Sequence, residues 1–162
     1  MWSKTRKAMY ERLAPSLRGR IQYDIEYCRP HYCTEPPANP KCTCTFCSYN
    51  RFFHIVIDKK ERIVISSNHV YYKGIAFSPL DEKRKCGLFE MDDVGKAMHL
   101  YLNVVPIEKC LTWEDPLLFL FGVLDRRVGK RKINRLYEER EDKPEWIQRF
   151  IELRAQAEKI VP

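Results

Sequence analysis

Five of the seven cysteines in this chain lie within twenty residues, and this clustering constrains the fold more than any other feature. Cys28 and Cys33 are followed by the compact pattern Cys42-x-Cys44-x-x-Cys47. In a reducing compartment, clustered thiols are usually metal ligands or redox groups rather than disulfides. A CxxC pair can wrap one ion, and four thiolates satisfy the tetrahedral preference of Zn²⁺. The spacing therefore predicts a zinc site.

The cluster offers one thiol more than a tetrahedral site needs. Cys28 is the main substitute in the ligand set, and His31 is an alternative nitrogen ligand. Other interpretations are an iron–sulfur cluster, a redox pair, or reduced thiols packed as small hydrophobes. The preferred set joins three closely spaced thiols to the nearest fourth one: Cys33, Cys42, Cys44 and Cys47.

Strand patterns flank the cysteines on both sides. Ile21, Tyr23 and Ile25 alternate with polar residues, which is typical of a half-buried strand. Residues 51–58 and 62–66 read as two further strands joined by a turn. The cysteines are thus predicted at the tip of a long hairpin, where a metal would fix a loop of about 20 residues that has no structure of its own.

The rest of the chain is predicted to be mainly helical. A fourth strand is possible within residues 69–77. Helical spacing predicts helices over 3–13, 91–105, 112–129 and 142–160, and the third is apolar nearly all round, as expected of a buried central helix.

These patterns predict the fold class and the domain organisation. The class is α+β: a small antiparallel sheet of three or four strands with a metal-clipped hairpin tip, packed against N-terminal and C-terminal helices. The length suits a single domain over residues 1–162, with residues 28–47 as a zinc-binding excursion.

The net charge of +7 is unevenly distributed. Residues 1–20 carry six Lys or Arg against Glu11 alone. A second basic cluster, within residues 126–135, contains no acidic residue. Such a surface can neutralise phosphates and so bind nucleic acid. The structural alternative is a helix C-terminus, whose dipole favours cations. The second cluster consists of Arg126, Arg127, Lys130, Arg131, Lys132 and Arg135.

Two observations bear on location. The opening residues are charged and lack the apolar stretch of an export signal. The longest apolar run, residues 116–124, is far shorter than the roughly 20 residues that span a bilayer. We therefore expect a cytoplasmic protein with no membrane partner.

The segments "MWSK", "LAPSLRGRIQY" and "LDRRVGKR" occur in this order. In this respect the chain resembles a family of small, uncharacterised bacterial proteins that share the opening, a strand-rich middle and a basic helix end. The resemblance implies no activity and no catalytic residue. The shared residues are Trp2, Pro15, Leu17, Gly19, Arg20, Asp125, Arg126, Arg127, Gly129, Lys130 and Arg131.

Catalytic motifs are missing from the sequence. It contains no glycine-rich phosphate loop, no HExxH and no nucleophile elbow. Asp125 could act as an acid in a phosphate-handling enzyme, but a salt bridge explains the same residue more simply. We expect a non-catalytic zinc-binding module whose basic surface contacts nucleic acid. The alternative is an interaction protein, such as an inhibitor or antitoxin-like partner of another protein.

Overall fold

The computed structural model describes residues 2–27, 51–66, 85, 87 and 89–161. Within them, three strands form an antiparallel sheet in the order β1 (Ile21–Tyr27), β2 (Arg51–Ile57), β3 (Glu61–Ser66). Tyr27 pairs with Arg51, so the chain leaves and re-enters the sheet at the same end. The predicted hairpin is confirmed in its pairing, while its cysteine-rich tip and the possible fourth strand at 69–77 lie outside the described residues.

The side-chain alternation of β1 is confirmed by burial. Ile21 and Tyr23 are buried, whereas Gln22 between them is exposed. A tight turn joins β2 to β3, and Asp58 at its start has a left-handed backbone with φ of 50°. Arg20 donates two hydrogen bonds to the Asp58 carboxylate, of 2.9 and 2.8 Å, which ties this turn to the start of β1.

Six α-helices account for most of the remaining described residues. The helices predicted at the two ends of the chain and at residue 91 are confirmed, with boundaries that differ by no more than three residues. The helices are α1 (Trp2–Arg12), α2 (Met91–Asn103), α3 (Ile107–Cys110), α4 (Pro116–Leu124), α5 (Lys130–Glu138) and α6 (Glu145–Ala157).

Helix α4 is the centre of the core. Every one of its residues is buried, and it packs against α2, α3 and α6. Asp115 caps it by accepting the backbone N–H groups of Leu117 and Leu118 at 2.8 and 3.1 Å. Because such a cap satisfies donors that the helix cannot, α4 begins at Pro116 rather than at residue 112.

The single helix predicted over 112–129 is wrong at its C-terminal end as well. Helix α4 ends at Leu124, since Asp125 has an extended backbone with ψ of 137°. A turn follows, and α5 begins at Lys130. The basic cluster therefore begins in this turn and continues through the first turn of α5, and only Arg135 lies in the last turn of a helix.

The α+β class is confirmed by this combination of a three-stranded antiparallel sheet and packed helices. Helix α1 lies against β1 and α2, and α5 packs on α6. None of the described helices is long and apolar enough to cross a bilayer.

Candidate nucleic-acid interface

The predicted zinc ligands lie outside the part of the chain that the structure describes. Among the described residues, no group of three or more His, Cys, Asp or Glu side chains could hold a metal ion. Cys110 is described and is buried in the core, where burial raises the pKa of its thiol. The predicted ligands all lie outside the described residues: Cys28, Cys33, Cys42, Cys44 and Cys47, together with the alternative His31.

The six side chains of the second basic cluster are all exposed. Lys130, Arg131 and Lys132 fill the first turn of α5, which contains no acidic residue. The N-terminus of a helix carries partial positive charge, so its dipole disfavours these cations. The structural explanation offered by the sequence, stabilisation by a helix C-terminus, therefore does not apply to these three residues, and within α5 it fits only Arg135, which lies in the last turn.

The fold places carboxylates beside three of the six side chains, although the sequence has no acidic residue between residues 126 and 135. Arg126, Arg131 and Lys132 make no salt bridge with any carboxylate that the structure describes; we call these three the free cations. The other three are paired: Arg127 with Asp125 at 2.6 Å, Arg135 with Glu139 at 2.8 Å, and Lys130 with Glu158 at 3.9 Å.

Asp125 is fully buried and is held from several directions. Tyr101 donates its hydroxyl to Oδ2 at 2.7 Å, and the backbone N–H of Arg127 donates to Oδ1 at 2.7 Å. The Arg127 guanidinium adds further bonds to both oxygens. Burial raises the pKa of Asp125, but the hydrogen bonds from Arg127 and Tyr101 outweigh it and hold the pKa below its ordinary value. The carboxylate is thus a charged structural anchor.

The segments "LAPSLRGR" and "LDRRVGKR" meet at this anchor. Leu13 forms an antiparallel bridge with Asp125, and the backbone N–H of Ala14 donates to the Leu124 carbonyl at 3.0 Å. The N–H of Arg126 donates to the Arg12 carbonyl at 2.8 Å. The two segments, far apart in sequence, form one structural junction.

A buried arginine that the sequence did not single out supports the same junction. Arg154 is 2% exposed and donates to the Val128 carbonyl at 3.1 Å, and it forms a salt bridge of 3.1 Å with Glu158. Ser16 donates its hydroxyl to the same carboxylate at 2.7 Å. The sequence does indicate its burial: Arg154 interrupts the apolar stripe of α6 one turn after Ile151.

Beside α5 lies a cleft of 150 Å³, which we call the aromatic cleft. Trp113 and Phe119 meet edge to face in its wall, with ring centroids 5.2 Å apart. Lys132, Arg135 and Lys143 stand around it. Two of these three cations belong to the basic cluster, so the cleft is continuous with that surface.

A groove of 520 Å³ separates α1 from β1 on another part of the surface. Arg6 and Lys7 line it on the helix side, and Tyr23 lines it on the strand side. The Asp58 N–H donates to the Arg20 carbonyl at 2.7 Å, and antiparallel pairing alternates, so Tyr23 and Ile25 point their N–H and C=O groups away from β2. Within the described residues, β1 is therefore an edge strand.

Comparison with known proteins adds a family but no activity. No curated protein matched the chain, and neither did any solved structure. A family described as the SF0329 protein family matches residues 38–155, a range that contains the "LDRRVGKR" segment and begins after the "LAPSLRGR" segment. Since this match spans more than half of the sequence, the chain belongs to the SF0329 protein family.

Proposed function

We propose that this chain is a cytoplasmic, non-catalytic module that binds nucleic-acid phosphates through α5 and the turn before it. One observation carries the proposal: the free cations stand in the turn before α5 and in its first turn. There the helix dipole disfavours positive charge, and no described carboxylate pairs with these side chains. A phosphate backbone is an anion that such an arrangement suits, because both the side chains and the helix N-terminus attract it.

The state of Asp125 supports a non-catalytic role. A catalytic acid must reach its substrate with a proton to donate. Asp125 is fully buried, and its pKa is lowered by the hydrogen bonds that outweigh its burial. These properties suit a residue that fixes the conformation of the turn before α5. The free cations then extend from backbone that is held in place by Asp125.

The direct test replaces the free cations with glutamine: Arg126→Gln, Arg131→Gln and Lys132→Gln. We expect weaker binding to labelled duplex DNA at low salt. The slope of log affinity against log salt should fall by up to about 0.9 for each phosphate that the variant no longer neutralises. Folding should be retained, because exposed substitutions usually change stability by no more than about 0.5 kcal/mol.

A matched control removes three cations from α1: Lys4→Gln, Arg6→Gln and Lys7→Gln. This variant has the same net charge as the first. Equal weakening in both variants would show a general charge effect, and the proposed interface would be wrong. A parent protein without any salt-sensitive binding to single- or double-stranded nucleic acid would end the proposal altogether.

The cysteine spacing supports a second part of the proposal, namely that the segment between β1 and β2 binds Zn²⁺ through four of its five thiols. We expect about one zinc ion per chain after gentle purification. Acid or a strong chelator should release it, because the ligand thiols must be deprotonated. Metal analysis that finds far less zinc, or stoichiometric iron, would contradict this assignment.

The zinc site is proposed to be local in its effect. Replacing Cys44 and Cys47 with serine should abolish zinc binding while leaving the helical circular dichroism signal intact. The reason is that α4 packs against α2, α3 and α6. Loss of the helical signal in this double variant would mean that the whole fold depends on the metal.

The groove between α1 and β1 favours one alternative function, binding of a partner protein. An extended acidic segment fits it best, since it can pair with the open edge of β1 while its carboxylates meet Arg6 and Lys7, which outnumber Asp24, the one acidic residue in the lining. A protein that co-purifies with the parent and is lost from an Arg6→Glu, Lys7→Glu variant would support this alternative. Retention of that protein by the variant would exclude the groove as its binding site.

A further inference from the structure

The aromatic cleft combines an apolar interior with a cationic rim. Trp113 is partly exposed, whereas Phe119 behind it is buried, so part of the indole remains open to a ligand. Leu136 of α5 contributes a further apolar surface. The cleft is therefore shaped for a flat apolar group rather than for a phosphate or a metal ion.

The charges around this cleft define the group that would enter it. The Lys143 ammonium lies 5.5 Å from the Trp113 ring centroid and 6.0 Å from that of Phe119, within the range of cation–π interactions. With Lys132 and Arg135 it gives the rim three cations against one acid, Glu139. An uncharged hydrocarbon would gain nothing from this rim, whereas an aromatic group that carries an anion would gain from both parts.

The existing ion pair on the rim does not block such a ligand. Arg135 and Glu139 are paired at 2.8 Å, with 67% and 51% of their side chains exposed. Exposed pairs of this kind contribute little to stability. A phosphate can therefore take the place of the Glu139 carboxylate as the partner of Arg135 at small cost.

Lys132 belongs both to the free cations and to the rim of the cleft. From this continuity we infer that the aromatic cleft receives one unpaired base of a single-stranded nucleic acid, stacked on Trp113, while the adjoining phosphates contact Lys132 and Arg135. This inference rests on the proposed function. The inference narrows the ligand of the proposed function to single-stranded nucleic acid. The bases of a duplex are stacked inside the helix and cannot enter the cleft, whereas those of a single strand can.

The test compares Trp113→Ala with the parent on a single-stranded oligonucleotide and on a duplex of equal length. Loss of one stacked base should weaken single-strand binding about tenfold or more, and duplex binding should change little. Trp113→Phe keeps an aromatic face and should retain most of the affinity. Tyr10→Ala removes an exposed aromatic side chain from α1 and serves as the matched control.

A second measurement reports on the cleft without removing Trp113. In a Trp2→Phe, Trp146→Phe background, Trp113 is the remaining tryptophan, and single-stranded oligonucleotide should quench its fluorescence. Equal loss on single strand and duplex in Trp113→Ala, or an absence of quenching, would overturn the inference and leave phosphate binding by α5 intact. Equal quenching by an acidic peptide would also overturn it. A parent that binds neither nucleic acid would instead remove the proposed function, and the inference with it.

Discussion

Arg126 and Arg127 are adjacent and chemically identical, yet their side chains have different surroundings: that of Arg127 is bound to Asp125, and that of Arg126 is on the open surface. Arg127 is bound to a fully buried carboxylate at 2.6 Å and closes the turn after α4. The Arg126 side chain is exposed and has no carboxylate partner among the described residues. One basic run therefore contains both a structural anchor and a free surface. The comparison shows that a charge cluster in a sequence is not a surface until its partners are known.

The Asp125 pair and the free cations differ in whether water can replace the interactions of a side chain that is removed. The Asp125 carboxylate has no contact with water and depends on Arg127 and Tyr101 for its hydrogen bonds. A buried charge that loses its partner is costly, because water cannot compensate. The free cations are hydrated already, so their removal should affect a ligand and not the fold.

The largest effect is expected from Asp125→Ala. It leaves the buried Tyr101 hydroxyl without its acceptor and breaks the turn, which should lower the free energy of unfolding by about 3–5 kcal/mol. Chemical denaturation measures this. Glu141→Ala, an exposed substitution, is the control and should stay within about 0.5 kcal/mol of the parent. Similar stability of the two variants would contradict the anchor role.

A smaller effect is expected from Arg127→Gln, compared with Arg126→Gln as its neighbour. The first removes charge-assisted hydrogen bonds to Asp125 and should cost about 2 kcal/mol, since Tyr101 still serves the carboxylate. The second should cost no more than about 0.5 kcal/mol but should weaken nucleic-acid binding. If both variants lose stability equally, the division between anchor and surface is wrong.

The smallest effect concerns pH. Because the pKa of Asp125 is lower in the folded than in the unfolded chain, its contribution is fully present above the unfolded pKa of about 3.9 and is lost as pH falls through the folded pKa. Unfolding free energies measured from pH 7 to pH 3 should fall less steeply in acid for Asp125→Asn than for the parent. Parallel curves would show that Asp125 does not titrate with folding.

The elements that the sequence predicted well are those with a strong local period. The alternation in β1 and the helical spacing of α2 and α6 repeat over several residues, so each pattern identifies its own structure. The continuous apolar run of α4 predicted its burial but not its boundaries. Those depend on Asp115 and Asp125, whose side chains and backbone conformations interrupt the helix at each end. The zinc prediction depends on cysteine spacing alone and stays a prediction.

The sequence by itself determined the class of the fold, the buried helix and the net charge of +7, because these depend on composition and short-range periodicity. Only the tertiary structure decided which basic residues are free. The carboxylate of Glu158 reaches Lys130 from the end of α6, and the Tyr101 hydroxyl of α2 reaches Asp125. Such contacts depend on how helices pack, which no local pattern encodes. The same packing placed Trp113 beside α5 and so formed the aromatic cleft.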